Sequence, residues 1–172
     1  MAIGFNEVDQ YYTIADAAEL ILQDGAWSVG IWTYVVNNTG TNFQYLISNK
    51  MVGNNDSINI WLQEEDSSGT PNTWCTRVVD GDGTDSDILF SATATGADST
   101  WRLIIVQRNT SDNEIQLWHC EVGAAATKEA SAADTNFDAI NGDDWDIGRR
   151  ADADADRYYG STRVSSSRWI TL

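Results

Sequence analysis

Trp101-Arg102-Leu103-Ile104-Ile105-Val106-Gln107-Arg108, then Asn109-Thr110-Ser111-Asp112-Asn113, then Glu114-Ile115-Gln116-Leu117-Trp118 is the stretch that decides the fold. Its two outer runs are rich in β-branched and aromatic residues, which favour a pleated, half-buried surface. The run between them holds Asn, Ser and Asp, whose side chains bond their own main chain in turns. The spacing predicts an antiparallel hairpin, with strands over Trp101 to Gln107 and Ile115 to Val122.

The same alternation of short apolar runs and turn clusters extends in both directions at intervals of roughly 8–12 residues, as in a sandwich or barrel. Further strands are expected at Trp27 to Val36, Phe43 to Ser48, Ile58 to Gln63, Thr73 to Val79 and Ile88 to Thr95, with weaker ones at Tyr11 to Ile14, Trp145 to Gly148 and Tyr158 to Ser165. Turn chemistry stands between them at Asn37 to Gly40, Gly53 to Asp56, Ser67 to Asn72 and Asp80 to Gly83. Ala15 to Gln23 lacks a wide apolar stripe and reads as loop or strand. Ala124 to Ala133 is Ala-rich, and its Lys128-Glu129-Ala130-Ser131 fits a sheet edge as well as a helix. With no internal repeat and no linker, residues 1–172 read as a single domain.

Composition narrows the partners. There are 26 acidic and 10 basic residues, a net charge of -16, so nucleic-acid phosphates and anionic lipid surfaces are repelled. No segment approaches the roughly 20 apolar residues of a membrane helix, and Met1 to Asp9 lacks the basic start and apolar stretch of a signal peptide. The expectation is a chain made in the cytoplasm, with no membrane or nucleic acid as partner. Two cysteines, Cys75 and Cys120, are too few for a disulfide framework and read as buried free thiols, with a structural disulfide as the alternative.

The hairpin quoted above, closing at Gly123, resembles the central hairpin of laminin-G-like, concanavalin-A-type jelly rolls. Trp27-Ser28-Val29-Gly30-Ile31-Trp32 is similar to that family's first long strand, with Trp32 at its frequent core aromatic. Asp146-Ile147-Gly148-Arg149-Arg150 followed by Tyr158-Tyr159-Gly160 looks like its later strand and Gly-terminated turn. The resemblance spans nearly the whole chain and implies an all-β, two-sheet antiparallel jelly-roll sandwich. One departure stands out: Ser161 to Ser167 is polar where the family runs through acidic and aromatic residues, which suggests an unusual partner for the last strand.

Enzymatic machinery is not legible. Hydrolases of this fold carry carboxylates two or four residues apart on one strand, whereas Glu64-Glu65-Asp66 alternates faces beside a turn and Glu7-Val8-Asp9 lies in a polar segment. His119 is the only histidine, there is no nucleophile elbow, and Gly81-Asp82-Gly83 is acidic where a phosphate loop needs Lys. No catalytic residue and no cofactor is expected. Two acidic stretches have the hard oxygen ligands that calcium takes: Asp80, Asp82 and Asp85 in one loop, and Asp152, Asp154 and Asp156 alternating with Ala in the other. Both read first as solvated, charge-rich connections, the second neutralised by Arg149, Arg150 and Arg157, with calcium as the alternative.

Trp27, Trp32, Trp61, Trp101 and Trp118 lie inside strong strands and are assigned to the core. Trp74 beside its turn, with Tyr158 and Tyr159, is the surface candidate for stacking on a sugar ring. The leading expectation is a non-enzymatic virion structural protein of phage type: a capsid decoration, head-fibre or tail-associated subunit at the virion surface. It would contact capsid proteins or its own symmetry mates through Arg149, Arg150, Arg157, Arg163 and Arg168. A free carbohydrate-binding, lectin-like module facing surface glycans is the alternative, and a glycan hydrolase the third reading.

Overall fold

Every regular element among the described residues is a strand. The computed structural model describes residues 3–6, 11–15, 22, 25–35, 43–50, 57–63, 72–80, 89–91, 99–134, 140, 144–150, 153–157 and 159–163, with the main chain alone at 3–6, 50, 149–150, 153–157 and 159–163. In chain order the strands are β1 (Ile3–Asn6), β2 (Tyr12–Ile14), β3 (Trp27–Val35), β4 (Gln44–Lys50), β5 (Ser57–Leu62), β6 (Trp74–Val79) and β7 (Leu89–Phe90). There follow β8 (Trp101–Asn109), β9 (Glu114–Glu121), β10 (Thr127–Ala133), β11 (Trp145–Ile147), β12 (Arg149–Arg150), β13 (Ala153–Arg157) and β14 (Tyr159–Arg163).

Two six-stranded sheets form the sandwich, one ordered β1-β14-β3-β8-β9-β10 and the other β2-β11-β4-β5-β6-β7, all pairs antiparallel. The chain crosses between the sheets repeatedly, so neighbours within a sheet are often distant in sequence, as a jelly roll requires. The small β12–β13 pair lies beside β4.

The core follows from period-two alternation. In β3, Trp27, Val29, Ile31, Thr33 and Val35 are buried while the residues between them are not. In β8 the buried row is Arg102, Ile104, Val106 and Arg108. These rows meet Leu46, Ile58, Ile60, Leu62, Trp74 and Trp145 of the second sheet in one continuous apolar cluster. Burying such aliphatic side chains stabilises by about 1.5–3 kcal/mol each.

The quoted hairpin forms as expected. Asn113 takes the left-handed conformation (φ 52°). Asn109 closes the turn from both ends, its Nδ2 donating to Asp112 Oδ2 at 2.7 Å and its Oδ1 accepting from Ser111 N at 3.0 Å. All ten expected strands coincide with an observed one, though for Ile88 to Thr95 only β7 lies within the described residues, and the turns at Asn37 to Gly40 and Gly53 to Asp56 lie outside them. Four strands, β1, β10, β12 and β13, lie outside the ten expected. β1 is four residues long and owes its existence to pairing with β14 from the far end of the chain. β10 is the Ala-rich segment, an edge strand joined to β9 with a bulge between Lys128 and Ala130. That bulge accommodates Glu129, whose Oε1 lies 2.8 Å from His119 Nδ1, so the lone histidine is an ordinary partnered strand residue.

Three core assignments are corrected. Trp32, Trp101 and Trp118 are half-buried on the solvent side of the first sheet, because they share phase with Gly30 and Gln107 rather than with Ile31 and Ile104. Trp27 and Trp61 are buried as assigned. The polar last strand needs no foreign partner within its described length, since β14 sits between β1 and β3.

Leu117 is fully buried at the middle of β9. Leu117→Ala is expected to lower unfolding free energy in urea by about 2–5 kcal/mol. Val122, 71% exposed, serves as the control, with Val122→Ser expected to stay within about 0.5 kcal/mol.

Candidate functional site

On the second sheet, Ile58, Ile60 and Leu62 point into the core, so Ser57, Asn59 and Trp61 face outward. Pairing extends this outward set across the sheet in two rows. One row is polar: Thr13 opposite Asp146, Asp146 opposite Ser48, Ser48 opposite Asn59, Asn59 opposite Arg77. The other is aromatic: Tyr45 opposite Trp61, Trp61 opposite Cys75, Cys75 opposite Phe90.

The polar row is wired together. Thr13 Oγ1 donates to Asp146 Oδ1 at 2.6 Å, Ser48 Oγ donates to Asn59 Oδ1 at 2.6 Å, and Asn59 Nδ2 donates to Ser57 Oγ at 3.2 Å. Asp146, Ser48 and Ser57 are buried, whereas Asn59 and Arg77 are half-buried at the centre of the sheet. Fixing each amide and hydroxyl by its neighbour removes rotamer freedom before any ligand arrives.

The aromatic row packs as a satellite cluster outside the main core. Tyr45 stacks on Trp61 at 5.7 Å between centroids, Phe43 meets the same indole edge-on at 6.5 Å, and Trp61 Nε1 donates to Gln63 Oε1 at 3.3 Å. Phe90 ends the row at the sheet edge, 42% exposed. Burial pushes the Cys75 thiol up to about 12, against a small lowering by the Thr73 hydroxyl. The groups of this face that reach solvent are thus those of half-buried Arg77 and Asn59 and of exposed Thr13 and Phe90, carried on a buried layer of Asp146, Ser48, Tyr45 and Trp61. A polar and an apolar contact stand side by side, as a ligand with one apolar and one polar side requires.

Several expected site residues fall elsewhere. Trp74 is 1% exposed and belongs to the core, because it shares phase with Thr76 and Val78; it offers no ring to a ligand. Tyr158 lies outside the described residues, and Tyr159 pairs with Asn6 at the β14–β1 junction. Asp80 is buried at the end of β6, while Asp82, Asp85 and Asp152 lie outside the described residues. Asp154 and Asp156 occupy alternate positions of β13. Among the described residues no group of three or more His, Cys, Asp or Glu is arranged to hold a metal ion.

The arginines expected to act together are divided. Arg149 and Arg157 are partners across β12–β13 and Arg150 pairs with Ala153, but Arg163 lies in the first sheet opposite Trp32, and Arg168 is outside the described residues. Both cysteines are free. Cys75 is buried as expected, but Cys120, on the solvent side of β9, is only half-buried. The central site residues Asn59 and Arg77 escaped the sequence reading. Their signal is a lone polar residue inside an apolar run, as in Ile58-Asn59-Ile60, which becomes a row only once the register is known.

A two-sheet jelly roll with a polar and aromatic outer sheet face defines the class. Solved structures with the same fold include the CBM40 module of the Ruminococcus gnavus IT-sialidase bound to α2,3-sialyllactose, at a TM-score of 0.57 and 16% identity over 81% of this chain and 72% of that one. Domains LG4-5 of the mouse laminin α1 chain align at a TM-score of 0.61 and 11% identity over 95% of this chain and 40% of theirs. The leech intramolecular trans-sialidase, in complex with 2,7-anhydro-Neu5Ac, gives 0.63 and 14% over 94% of this chain and 24% of that one. No protein-family model and no curated protein sequence matches the chain.

A raised thiol value keeps Cys75 protonated and unreactive in the folded chain, so the native protein at pH 8 is expected to label at Cys120 alone and the unfolded protein at both thiols. An unfolded chain gives up this proton first, so the thiol's contribution to stability falls as pH climbs from about 9 towards 12. Cys75→Ala is expected to remove that part of the slope in urea melts.

Proposed function

We propose that this chain is a non-catalytic carbohydrate-binding domain that takes an acidic sugar on the outer face of its second sheet. The observation that carries the reading is Arg77, a half-buried guanidinium at the centre of that face, opposite Asn59 and one row from Trp61. A guanidinium offers a planar fork of donors that matches a carboxylate. The Asn59 amide, held by buried Ser48, and the exposed Thr13 hydroxyl suit sugar hydroxyls, and exposed Phe90 suits the apolar face of a ring. The fold's likeness to a module bound to sialyllactose supports this choice of ligand class. It favours the carbohydrate-binding alternative over virion display, which draws no support from these likenesses. A hydrolytic role would need a second carboxylate facing Asp146 across the ligand, and Asp146 is buried against Thr13.

Calorimetric titration with 3′-sialyllactose is expected to show binding, with uncharged lactose much weaker. A charge-assisted hydrogen bond contributes about 1.5–3 kcal/mol, so Arg77→Ala is expected to weaken sialyllactose by roughly tenfold to a hundredfold and leave the lactose signal unchanged. Equal affinity for the two sugars, or an Arg77→Ala variant that binds like the parent, would overturn the reading.

A further inference from the structure

The solvent side of the first sheet differs from the rest of this molecule. Trp32 and Tyr34 on β3, Trp101, Leu103 and Ile105 on β8, and Trp118 on β9 stand on that side, each half-buried. Pairing makes them contiguous: Tyr34 is opposite Trp101, Trp32 opposite Leu103, and Gly30, Ile105 and Trp118 form one row across three strands. Tyr34 and Trp101 rings lie 5.5 Å apart. From the Tyr34–Trp101 row to the Trp118 row is four residues along β8, roughly 13 Å.

Charge sets this face apart. Residues 27–35, 101–109 and 159–163, the three neighbouring strands β3, β8 and β14, contain no Asp or Glu in a chain that carries 26. Beside the aromatic band Gln107 Nε2 donates to Gln116 Oε1 at 2.7 Å and Trp118 Nε1 donates to the same oxygen at 3.1 Å, while Gln116 Nε2 donates to Glu114 Oε2 at 2.8 Å and Lys128 Nζ, 3.3 Å from that oxygen, neutralises the carboxylate. In the Ile105–Trp118 row Gly30 leaves the band open, since it is exposed where a side chain would otherwise stand over Ile105.

We infer that this face is a second binding surface, for a neutral polysaccharide chain lying across β3, β8 and β9. A contiguous apolar patch of this kind marks an interaction site. The net charge of -16 opposes a second copy, an anionic membrane or a polyanion, and β3 and β8 offer no carboxylate to draw a cationic partner, which leaves an uncharged one. Among uncharged partners, a sugar polymer presents the flat C–H faces that indole and phenol rings stack on, with hydroxyls for amides at the border. A length of roughly 13 Å accommodates more than one sugar ring. The surface is independent of Arg77, which lies on the opposite side of the sandwich.

Native gels cast separately with hydroxyethylcellulose, xylan and galactomannan test the inference, with bovine serum albumin as the unretarded reference. The chain is expected to be retarded in at least one gel. Gly30→Gln places a side chain over the band without disturbing the core: an added Cβ stands 3.6 Å from Ile105 Cγ1 and Leu103 Cδ1, ordinary contact distances. This variant and Trp118→Ala are expected to weaken retardation by roughly tenfold or more, whereas Arg77→Ala and excess sialyllactose leave it unchanged. Absence of retardation in all three gels, or retardation that survives Gly30→Gln, would overturn the inference. So would a dimer in sedimentation equilibrium that Gly30→Gln dissociates, since the face would then belong to a second copy. Loss of retardation in Arg77→Ala alone would place polymer binding on the second sheet instead. Loss of sialyllactose binding with retardation intact would bear only on the Arg77 reading.

Discussion

The register of β8 against β3 and β9 is the constraint on which the sandwich depends. Leu103-Ile104-Ile105-Val106 is apolar on both faces, so hydrophobicity alone barely distinguishes the correct register from a slip of one residue, which would exchange Ile104 with Ile105. Polar groups at the ends of the strand make the distinction. Arg102 is buried with Nη2 2.8 Å from Glu121 Oε1, and Arg108 is buried with Nη1 donating to Gly25 O at 3.1 Å. A slip would strip both buried guanidinium groups of these partners and leave their charge uncompensated in the interior. The Asn109–Asp112 and Asn109–Ser111 bonds fix the hairpin at the same end. Specificity here comes from the ends of the strand, while the middle supplies the burial.

The second sheet meets the opposite problem. Its inner strands β4, β5 and β6 are largely buried on both faces, and the buried set of the outer face includes Ser48, Ser57 and Asp146. A buried hydroxyl or carboxylate without a partner costs about 1–3 kcal/mol or more. Pairing Ser48 with Asn59 and Thr13 with Asp146 offsets that cost and leaves a rigid polar row in the middle of a β-sheet. The neighbouring Tyr45–Trp61 stack holds the next row in place. A face built on strands and bonded in this way has little side-chain freedom left to lose.

The fold was legible because strand alternation and turn chemistry are local. Trp27 to Val35, Ile58 to Leu62 and the Asn109–Asn113 hairpin each declare themselves within ten residues. What escaped depended on partners distant in sequence. β1 exists through β14, more than 150 residues away. Phase was the commoner error. Trp32 and Trp101 sit in strong strands, and the expectation of burial was sound for the strand but wrong for the face. Trp74 fails in the reverse sense: its turn-side position suggested the surface, yet its phase with Thr76 and Val78 puts it in the core. Arg77 and Asn59 are each unremarkable in isolation, and only the pairing of β5 with β6 sets them side by side.

The distribution of charge ties the two outer faces together. A net charge of -16 on a small domain creates a negative potential that salt screens beyond roughly 8–10 Å. Arg77 lies at the centre of its face, next to neutral Asn59, and the strands of the opposite face carry no acid on three neighbours in succession. Acidic residues are gathered instead into stretches such as Asp80 to Asp87 and Asp152 to Asp156. That segregation gives each face a local character the average hides: one suited to a single anionic group at short range, the other to a partner with no charge. At ordinary ionic strength the distant acids are screened from Arg77 on one side and from the tryptophans on the other.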